Sequence, residues 1–366
     1  MSDNLILQHL ETLWGFRGSD LLLSSGSHPR LRVSGELVDA PNSHVLTGDE
    51  IEQALRPFMT DAQRNTLEEQ GDVDFAFSWL DRARLRANVY RQKGQASVAL
   101  RIIPNEIPTI EQLELPEMVA RLATEVVRGF ILVTGATGSG KSTTLASIVK
   151  RINETRTCHI LTIEDPVEFV HESLRALVSQ REVGTDTISF RQALRAALRE
   201  DPDVILVGEL RDAESIQIAL TLAETGHLVL ATLHTRDAAQ AIDRILDVLP
   251  DGQKSQAQAQ LASSFSAVVA QRLVPKVGGG LVAAFEVLTA TTATRNTIRE
   301  GRAHQLPGLI AMGRQSGMIT MDAYLAKLVV EGVVERDSAV VHATSADELD
   351  GHIQYARNNR LYEMKR

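Results

Sequence analysis

The sequence predicts an α/β protein in which a small α+β domain precedes a larger domain with a mostly parallel β-sheet. Residues 1–103 combine strand-like alternation of apolar and polar residues with a helical stretch. Residues 117–288 alternate short apolar runs with helical periods, a pattern typical of a parallel sheet covered by helices on both faces. From residue 289 onward helical periods dominate. We therefore expect a helical C-terminal extension after the second domain.

The composition is that of a globular protein with more than one domain. The chain has 366 residues, of which 43% are hydrophobic and 23% charged, and this length usually corresponds to two or three domains. The formal net charge of -9 disfavours a surface for nucleic-acid phosphates. The N-terminal segment lacks the basic region and cleavage signal of a secretory leader, and no stretch is apolar enough to span a bilayer. We expect a cytoplasmic protein that neither binds nucleic acid nor inserts directly into membranes.

The N-terminal domain is predicted to consist mainly of strands. The alternating runs are SDLLLSS, PRLRVSGEL, DVDFAFSWL, ARLRANVYR and ASVALRII. One helical stretch is expected near Gly48 to Gln70. Pro104, Pro108 and Pro116 then mark a linker over residues 104–116.

The second domain is predicted to alternate strands with helices. Its apolar runs are FILVTG, CHILTIED, DVILVGE and HLVLATLHT. Helices are expected from Lys141, around Phe190 to Arg199 and around Ala213 to Glu224. Ligands of such sheets bind at the carboxyl ends of the strands, so the polar residues that follow these runs are candidates for one site.

A phosphate-binding loop is the strongest signal in the chain. The segment GATGSGKS at residues 135–142 matches the GxxxxGK(S/T) pattern, with an apolar strand before it and a helical segment after it. Glycines allow the backbone to curl so that its N–H groups face phosphate oxygens, and the helix N-terminus adds partial positive charge. Lys141 is expected to reach the β- and γ-phosphates, and the Ser142 hydroxyl to bind Mg²⁺. The predicted nucleotide-binding residues are Gly135, Ala136, Thr137, Gly138, Ser139, Gly140, Lys141, Ser142 and Thr143.

A carboxylate follows the apolar run Val204 to Val207 in the segment DPDVILVGELRD. In P-loop enzymes the strand beside the phosphate loop delivers carboxylates to the metal and to the attacking water. Glu209 is therefore the predicted catalytic carboxylate. Many ATPases have Asp immediately before this Glu, but Gly208 occupies that position here, so no side chain there can bind Mg²⁺.

Three acidic residues, Glu164, Asp165 and Glu168, come after the apolar run CHILTI. Carboxylates at the carboxyl end of a strand suit Mg²⁺ and the water molecules bound to it. We therefore expect this cluster to assist the metal and the attacking water. Glu164 is the alternative catalytic base if Glu209 does not act as one.

Two histidines, His227 and His234, bracket the apolar run LVLATL. Their seven-residue separation along an extended segment places the side chains on opposite faces, so we do not expect them to share a metal ion. His234 falls at the carboxyl end of the run, where it is a candidate sensor of the γ-phosphate.

In order and spacing, these segments resemble those of the secretion and type IV pilus ATPase superfamily. The matching segments are the phosphate loop, an aspartate box (IEDPVEF), an atypical Walker B segment (ILVGELRD) and a histidine box (GHLVLATLHT). Similarity to the retraction branch, the PilT type, also covers SDLLLSSGSHPRLRVSGEL, QAIDRILDVLP, VAAFEVL and SGMITMDAYLAKLV. The single cysteine excludes the tetracysteine zinc motif common in assembly and type II secretion ATPases. TRNTIREG resembles a motif tied to retraction, with Thr294 and Thr297 in place of apolar residues.

The resemblance implies a homohexamer of chains that each contain a PAS-like domain and a RecA-like ATPase domain. The implied boundaries are 1–103 for the PAS-like domain, 104–116 for a linker, 117–288 for the ATPase domain and 289–366 for the helical region. It also implies that arginines of the N-terminal domain reach the phosphates. Arg86 and Arg101 match those positions best, although an alternating basic strand is usually a solvated face.

The implied roles of the site residues follow the family motifs. Lys141 and Ser142 bind phosphate and metal, and Glu209 is the catalytic base. Glu164, which contacts Mg²⁺ through water in such proteins, and Glu168 assist metal and water. His227 and His234 couple the phosphate to conformation.

The implied activity is ATP hydrolysis with Mg²⁺, coupled to rotation of the N-terminal domain against the ATPase domain. In the retraction branch this motor acts on an inner-membrane platform protein at the pilus base and removes pilin subunits, which drives twitching motility. A second retraction ATPase is a candidate partner. The alternatives are a PilU-like accessory motor and a pilus or secretion assembly ATPase, which share the site. The C-terminal tail IQYARNNRLYEMKR is expected to be either disordered or partner-binding.

Overall fold

The computed structural model describes residues 4–33, 35–80, 82–104 and 106–363, which form two compact units. Unit 1 comprises residues 1–106 and 166–170, and unit 2 comprises residues 107–165 and 171–366. Asn105 of the predicted linker and residues 364–366 of the predicted tail lie outside the described residues.

Within its described residues, unit 1 is an antiparallel sheet with three α-helices. The six strands have the order β3-β2-β1-β6-β5-β4, and every neighbouring pair is antiparallel. The elements are α1 (Leu5–Gly15), β1 (Asp20–Ser24), β2 (Arg30–Val33), β3 (Glu36–Asp39), α2 (Gly48–Leu55), α3 (Asp61–Gln70), β4 (Asp72–Trp79), β5 (Ala83–Gln92) and β6 (Gln95–Pro104).

Helix α1 was not anticipated from the sequence. Asn4 caps it by accepting hydrogen bonds from the backbone N–H groups of Ile6 and Leu7. Ile6, Leu10 and Leu13 recur at helical spacing on one face and are fully buried. The helix therefore forms because its apolar face completes the core of unit 1.

The segment near Gly48 to Gln70 is helical as predicted, but it forms two helices, α2 and α3, instead of one. A 3₁₀ turn over Arg56–Phe58 contains Pro57 and ends the first helix. The second helix starts after Thr60, which forms a capping box with Gln63. Proline and the new cap divide the segment.

Unit 2 contains the remaining helices and strands. Its elements are α4 (Glu117–Glu125), β7 (Gly129–Thr134), α5 (Lys141–Thr155), β8 (His159–Glu164), β9 (Leu177–Glu182), α6 (Phe190–Ala197), β10 (Val204–Val207), α7 (Ala213–Glu224), β11 (Leu228–Leu233), α8 (Ala238–Asp247), α9 (Asp251–Ser264), β12 (Phe265–Pro275), β13 (Leu281–Thr289), α10 (Thr292–Arg299), α11 (Leu306–Met312), α12 (Met321–Val330), α13 (Arg336–His342) and α14 (Ala346–Glu363).

The sheet of unit 2 has seven strands in the order β13-β12-β7-β11-β10-β8-β9. All neighbouring pairs are parallel except β12 and β13. Strands β7, β10 and β11 are buried along their whole length, as expected for a sheet covered on both faces. Because the strands are parallel, the loops after β7, β8, β10 and β11 all leave from one edge, which we call the carboxyl edge.

The region after β13 is helical, and this confirms the predicted fold class of a mixed α/β protein with a helical C-terminal extension. Helices α12 and α14 pack on the same core as the hairpin of β12 and β13, through Leu325, Leu349 and Ile353. Most of the predicted tail belongs to α14. Among the described residues, no helix has both the length and the apolar character needed to cross a membrane.

Candidate active site

The phosphate loop connects β7 to α5 at the carboxyl edge. Gly138 and Gly140 have φ angles of 77° and 86°, which residues with a side chain rarely adopt. Gly140 is the N-cap of α5, so it offers no side chain to the N–H groups of the first helical turn. These N–H groups and the helix dipole together form a site suited to an anion.

Lys141 is buried within this loop. Its Nζ donates hydrogen bonds to the carbonyl oxygens of Gly135, at 2.9 Å, and Ala136, at 3.0 Å. Ser142 and Thr143 follow it in the first turn of α5. The Ser139 hydroxyl is buried and has no hydrogen-bond partner in the structure. The loop thus brings an ammonium group, hydroxyls and helix N–H groups together, which is the donor set that phosphate requires.

Gln271, on β12, contacts the loop from the neighbouring strand. Its Nε2 donates to the carbonyl oxygen of Ser139 at 2.7 Å, and its Oε1 accepts from the Thr144 hydroxyl at 2.7 Å. Gln271 belongs to none of the sequence motifs, because it lies more than a hundred residues after the loop. The available signal was a polar residue directly after the buried run AVVA.

Glu209 follows β10 at the carboxyl edge, with its side chain 22% exposed. Its Oε2 accepts from Arg211 through Nη2 at 2.7 Å and Nε at 2.9 Å, and its Oε1 lies 3.3 Å from Nε2 of His234. Burial acts to raise the pKa of Glu209, but the hydrogen bond and charge of Arg211 outweigh burial and lower it. The charges of His234 and Lys141 act in the same direction. Glu209 is therefore an ionised carboxylate at neutral pH.

Gly208 lies close to β8. A Cβ atom there would lie 3.3 Å from the carbonyl oxygen of Ile163 and 3.4 Å from Cα of Glu164. The Gly208 N–H also donates to the Ile163 carbonyl at 2.8 Å. A side chain at residue 208 would therefore require β8 to shift by a few tenths of an ångström.

Glu164 ends β8, and its carboxylate has polar neighbours. Its Oε1 accepts hydrogen bonds from the Thr162 hydroxyl at 2.7 Å and from Nε2 of Gln180 at 3.3 Å. Asp165 lies close enough to Arg211 for its charge to help raise the pKa of that guanidinium, after the larger effect of the Glu209 hydrogen bond. Within the described ranges, no group of three or more His, Cys, Asp or Glu side chains is arranged to hold a metal ion by itself.

His234 follows β11 at the same edge. Its Nδ1 lies 3.4 Å from the Thr137 hydroxyl of the phosphate loop, and its Nε2 faces Glu209. Thr235, the next residue, contacts β7, because its hydroxyl lies 2.6 Å from the hydroxyl of Thr134. His234 thus stands between the loop and the carboxylate.

His227 lies at the opposite edge of the sheet. It precedes β11, and the six residues of that strand separate it from His234 by roughly 20 Å. Its Nδ1 lies 2.9 Å from the carbonyl oxygen of Leu222 at the end of α7. The structure therefore does not bring the two histidines together, and the coupling role of His227 stays a prediction.

Glu168, Arg86 and Arg101 belong to unit 1. Arg86 on β5 and Arg101 on β6 are direct cross-strand partners in the register of the sheet. Nε of Arg101 donates to Asp20 at 2.8 Å. Glu168 is half-buried in segment 166–170, which joins unit 1. The roles predicted for these three residues at the phosphates and the metal stay predictions.

A cavity of about 270 Å³ lies beside the loop on the side of α5. Gly140, Thr143, Thr144 and Gln271 line one part of it, Leu113, Leu273, Leu281 and Val282 contribute apolar surface, and Gln112, Glu114 and Lys276 complete the lining. Such a mostly apolar space beside a phosphate site has the character of a pocket for a flat organic group.

Comparisons with known proteins agree with this geometry. Residues 60–350 match the family model described as type II/IV secretion system protein. The chain is 48% identical to the type IV pilus retraction ATPase PilT of Pseudomonas aeruginosa over 88% of this chain and 93% of the relative. It is 39% identical to the type IV pilus ATPase PilU of the same organism over 91% of this chain and 87% of the relative. The crystal structure of the pilus retraction motor PilT with bound ADP superposes with a TM-score of 0.87 at 43% identity, covering 94% of this chain and 98% of that one.

Proposed function

Because this chain belongs to the type II/IV secretion system protein family, we propose that it is an ATP-hydrolysing motor that drives type IV pilus retraction and twitching motility. One observation carries the enzymatic part of the proposal. An ionised carboxylate, Glu209, shares the carboxyl edge with a complete phosphate loop, and His234 stands between them. The similarity to PilT along nearly its whole length supports retraction as the work performed.

We propose that the nucleotide is ATP, with its phosphates in the loop of residues 135–143. The N–H groups at the start of α5 and the Lys141 ammonium hold the phosphate oxygens. The apolar cavity beside Thr143 accommodates the adenine base of the nucleotide. The Ser142 hydroxyl and, through water molecules, Glu164 would hold Mg²⁺, which would supply positive charge against the phosphates. The buried hydroxyl of Ser139 and the uncapped helix N-terminus fit this cofactor.

Glu209 is the proposed catalytic base. Its ionised carboxylate can accept a proton from the attacking water, and the contact with Arg211 fixes its orientation. His234 is the proposed sensor of the γ-phosphate, and its contacts with Thr137 and Glu209 support this role. Arg86 and Arg101 supply positive charge to the transition state in the assembled motor, and Glu168 assists the water.

The proposed assembly is a homohexamer that works at the pilus base. An inner-membrane platform protein is its proposed partner, at the cytoplasmic side of the inner membrane, with a second retraction ATPase as a further partner. We propose a PAS-like domain (1–103), a linker (104–116), an ATPase domain (117–288) and a helical region (289–366), with hydrolysis driving rotation between the first two domains.

A second candidate function is that of an accessory motor. The similarity to PilU over most of both chains favours this alternative. Both functions use the same nucleotide site, so they differ in the cell and not in the chemistry. A cellular assay is therefore needed to separate them.

The test replaces the chromosomal gene by Glu209→Gln and compares it with Glu214→Gln. Glu214 is a nearby acidic residue on α7 that pairs with Arg191 and Arg195 on the surface. Removal of a general base lowers kcat by about 10²–10⁴-fold, so the Glu209 variant should bind ATP and lose turnover, whereas the Glu214 variant should keep both.

The cellular phenotype decides the kind of motor. Abundant pili that fail to retract, with ATPase lost and the ring intact, support a retraction motor. Loss of surface pili would indicate an assembly motor instead, and a retraction defect only under load would indicate an accessory motor. Wild-type hydrolysis by the Glu209 variant would refute the assignment of the base.

A further inference from the structure

We propose that Gln271 is a positioning residue for the nucleotide phosphates, because its side-chain amide fixes the orientation of the peptide between Ser139 and Gly140. This inference rests on the proposed nucleotide-binding function. It adds a residue outside the sequence motifs to the machinery that prepares the loop for phosphate.

The amide of Gln271 is buried and makes one hydrogen bond through each of its polar atoms. The side chain is 3% exposed, and both of its bonds to the loop and to α5 measure 2.7 Å. The Ser139 carbonyl can only accept a hydrogen bond, so Nε2 must face it, and Oε1 is then free to accept from the Thr144 hydroxyl. The two partners therefore determine the orientation of the amide without ambiguity.

The bond to Ser139 also sets the direction of a neighbouring N–H group. In a trans peptide, the carbonyl of one residue and the N–H of the next point in opposite directions. Because the Ser139 carbonyl points toward Gln271, the Gly140 N–H points away from β12. Gln271 thus holds this N–H in place before phosphate arrives, and a preorganised donor binds more tightly than one that must be ordered during binding.

Strand pairing explains why residue 271 occupies this position. Strand β12 is parallel to β7, with Ala270 opposite Thr134, so Gln271 reaches the level of the loop. The approach is close, because a Cβ at Gly135 would lie 2.4 Å from the Gln271 carbonyl oxygen, and one at Gly140 would lie 2.9 Å from its Nε2. Only an amide of this length offers a donor and an acceptor here: Glu lacks the donor, and Asn is one methylene shorter.

Gln271 is expected to act on nucleotide binding and not on the chemical step. Its hydrogen bonds go to the loop and to α5, and Glu209 and His234 interact with each other and with Thr137 and Arg211 instead. Losing the amide should therefore weaken ADP and ATP binding and raise KM while kcat is largely kept. A role in folding alone would not produce this separation.

The test uses Gln271→Met, which keeps the length of the side chain and removes both hydrogen bonds. Binding of a fluorescent ADP analogue to the purified full chain should weaken about tenfold, equivalent to about 1.4 kcal/mol. KM for ATP should rise by a similar factor, with kcat within about threefold of wild type. Gln260→Met is the matched control, because Gln260 is also buried in unit 2 but donates to Glu224. It should leave the ADP affinity unchanged.

Two variants of Thr144, the other hydrogen-bond partner of the Gln271 amide, provide a second test. Thr144→Val removes the hydroxyl at nearly constant shape and should weaken ADP binding about threefold, whereas Thr144→Ser keeps the hydrogen bond and should restore the affinity. The double variant Gln271→Met/Thr144→Val should bind ADP no more weakly than Gln271→Met alone, because the shared bond is already lost.

Three outcomes would overturn the proposal. They are unchanged ADP affinity in Gln271→Met, equal weakening in Gln260→Met, and strictly additive effects in the double variant. If Gln271→Met does not fold, Thr144→Val decides: a raised Kd that serine restores supports the proposal, and an unchanged Kd refutes it. Failure of the proposed function itself looks different, because wild type would then bind no ADP or Lys141→Ala would bind it equally well.

Discussion

The loop glycine Gly135 gives a quantitative prediction, because the structure contains an internal control in Gly138. Gly135 has a φ of 153° and Gly138 a φ of 77°, so alanine is conformationally unfavourable at both positions, by about 1–3 kcal/mol each. Only at Gly135 is there also a steric obstacle. A Cβ there would lie 2.4 Å from the Gln271 carbonyl oxygen and 2.5 Å from the Ser139 hydroxyl, whereas at Gly138 it would meet nothing within 4 Å.

The steric term can be estimated from these distances. Ordinary contact begins at 3.4 Å, so the loop or β12 must move by about 1 Å to admit the methyl group of Gly135→Ala. Overpacking of this kind costs about 1–3 kcal/mol. For a domain of this size, 1 kcal/mol lowers Tm by about 2–4 °C. Gly135→Ala should therefore melt roughly 6 °C below Gly138→Ala.

The assay is thermal unfolding of both variants and wild type without nucleotide, by calorimetry, at one protein concentration. The order of Tm should be wild type, Gly138→Ala and then Gly135→Ala. Equal Tm values for the two variants would refute the close contact between the loop and β12. A Tm of Gly135→Ala above that of wild type would refute the conformational argument as well.

Two further predictions concern buried charges. Lys141→Ala should bind ADP and ATP much more weakly, because the phosphates lose their main counter-charge; an unchanged Kd in equilibrium binding would refute the phosphate-loop assignment. Burial, above all, raises the pKa of Glu286, whose Oε1 accepts from the Ala238 N–H at 2.9 Å. A raised folded-state pKa gives stability that is present at acid pH and is lost as the pH rises through that pKa. In urea unfolding, wild type should therefore lose stability relative to Glu286→Gln above the ordinary glutamate pKa. A difference in stability that does not change with pH would contradict this prediction.

The parts of the site that local sequence determines were the parts that could be predicted. The glycines, the lysine and the serine of the loop all lie within residues 135–142, so the motif alone indicates its chemistry. Glu209 and Glu164 could be anticipated because each follows a buried apolar run, and parallel strands end at one edge. The fold class followed from the same alternation of strands and helices.

Features that depend on long-range pairing could not be predicted. Gln271 reaches the loop only because β12 lies beside β7, and no local pattern identifies that neighbour. Helix α1 packs on β1, β2 and α2, so its formation depends on the assembled core of unit 1.

The path of the chain around the aspartate box has a mechanical consequence. Residues 166–170 belong to unit 1, where the Val167 carbonyl accepts from Nε of Arg84 at 2.9 Å, whereas Asp165 belongs to unit 2. The side chain of Asp165 lies near Arg211. The peptide bond between Asp165 and Pro166 therefore connects this residue directly to unit 1. A displacement of residue 166 must therefore displace Asp165 as well, because consecutive Cα atoms stay about 3.8 Å apart across a trans peptide.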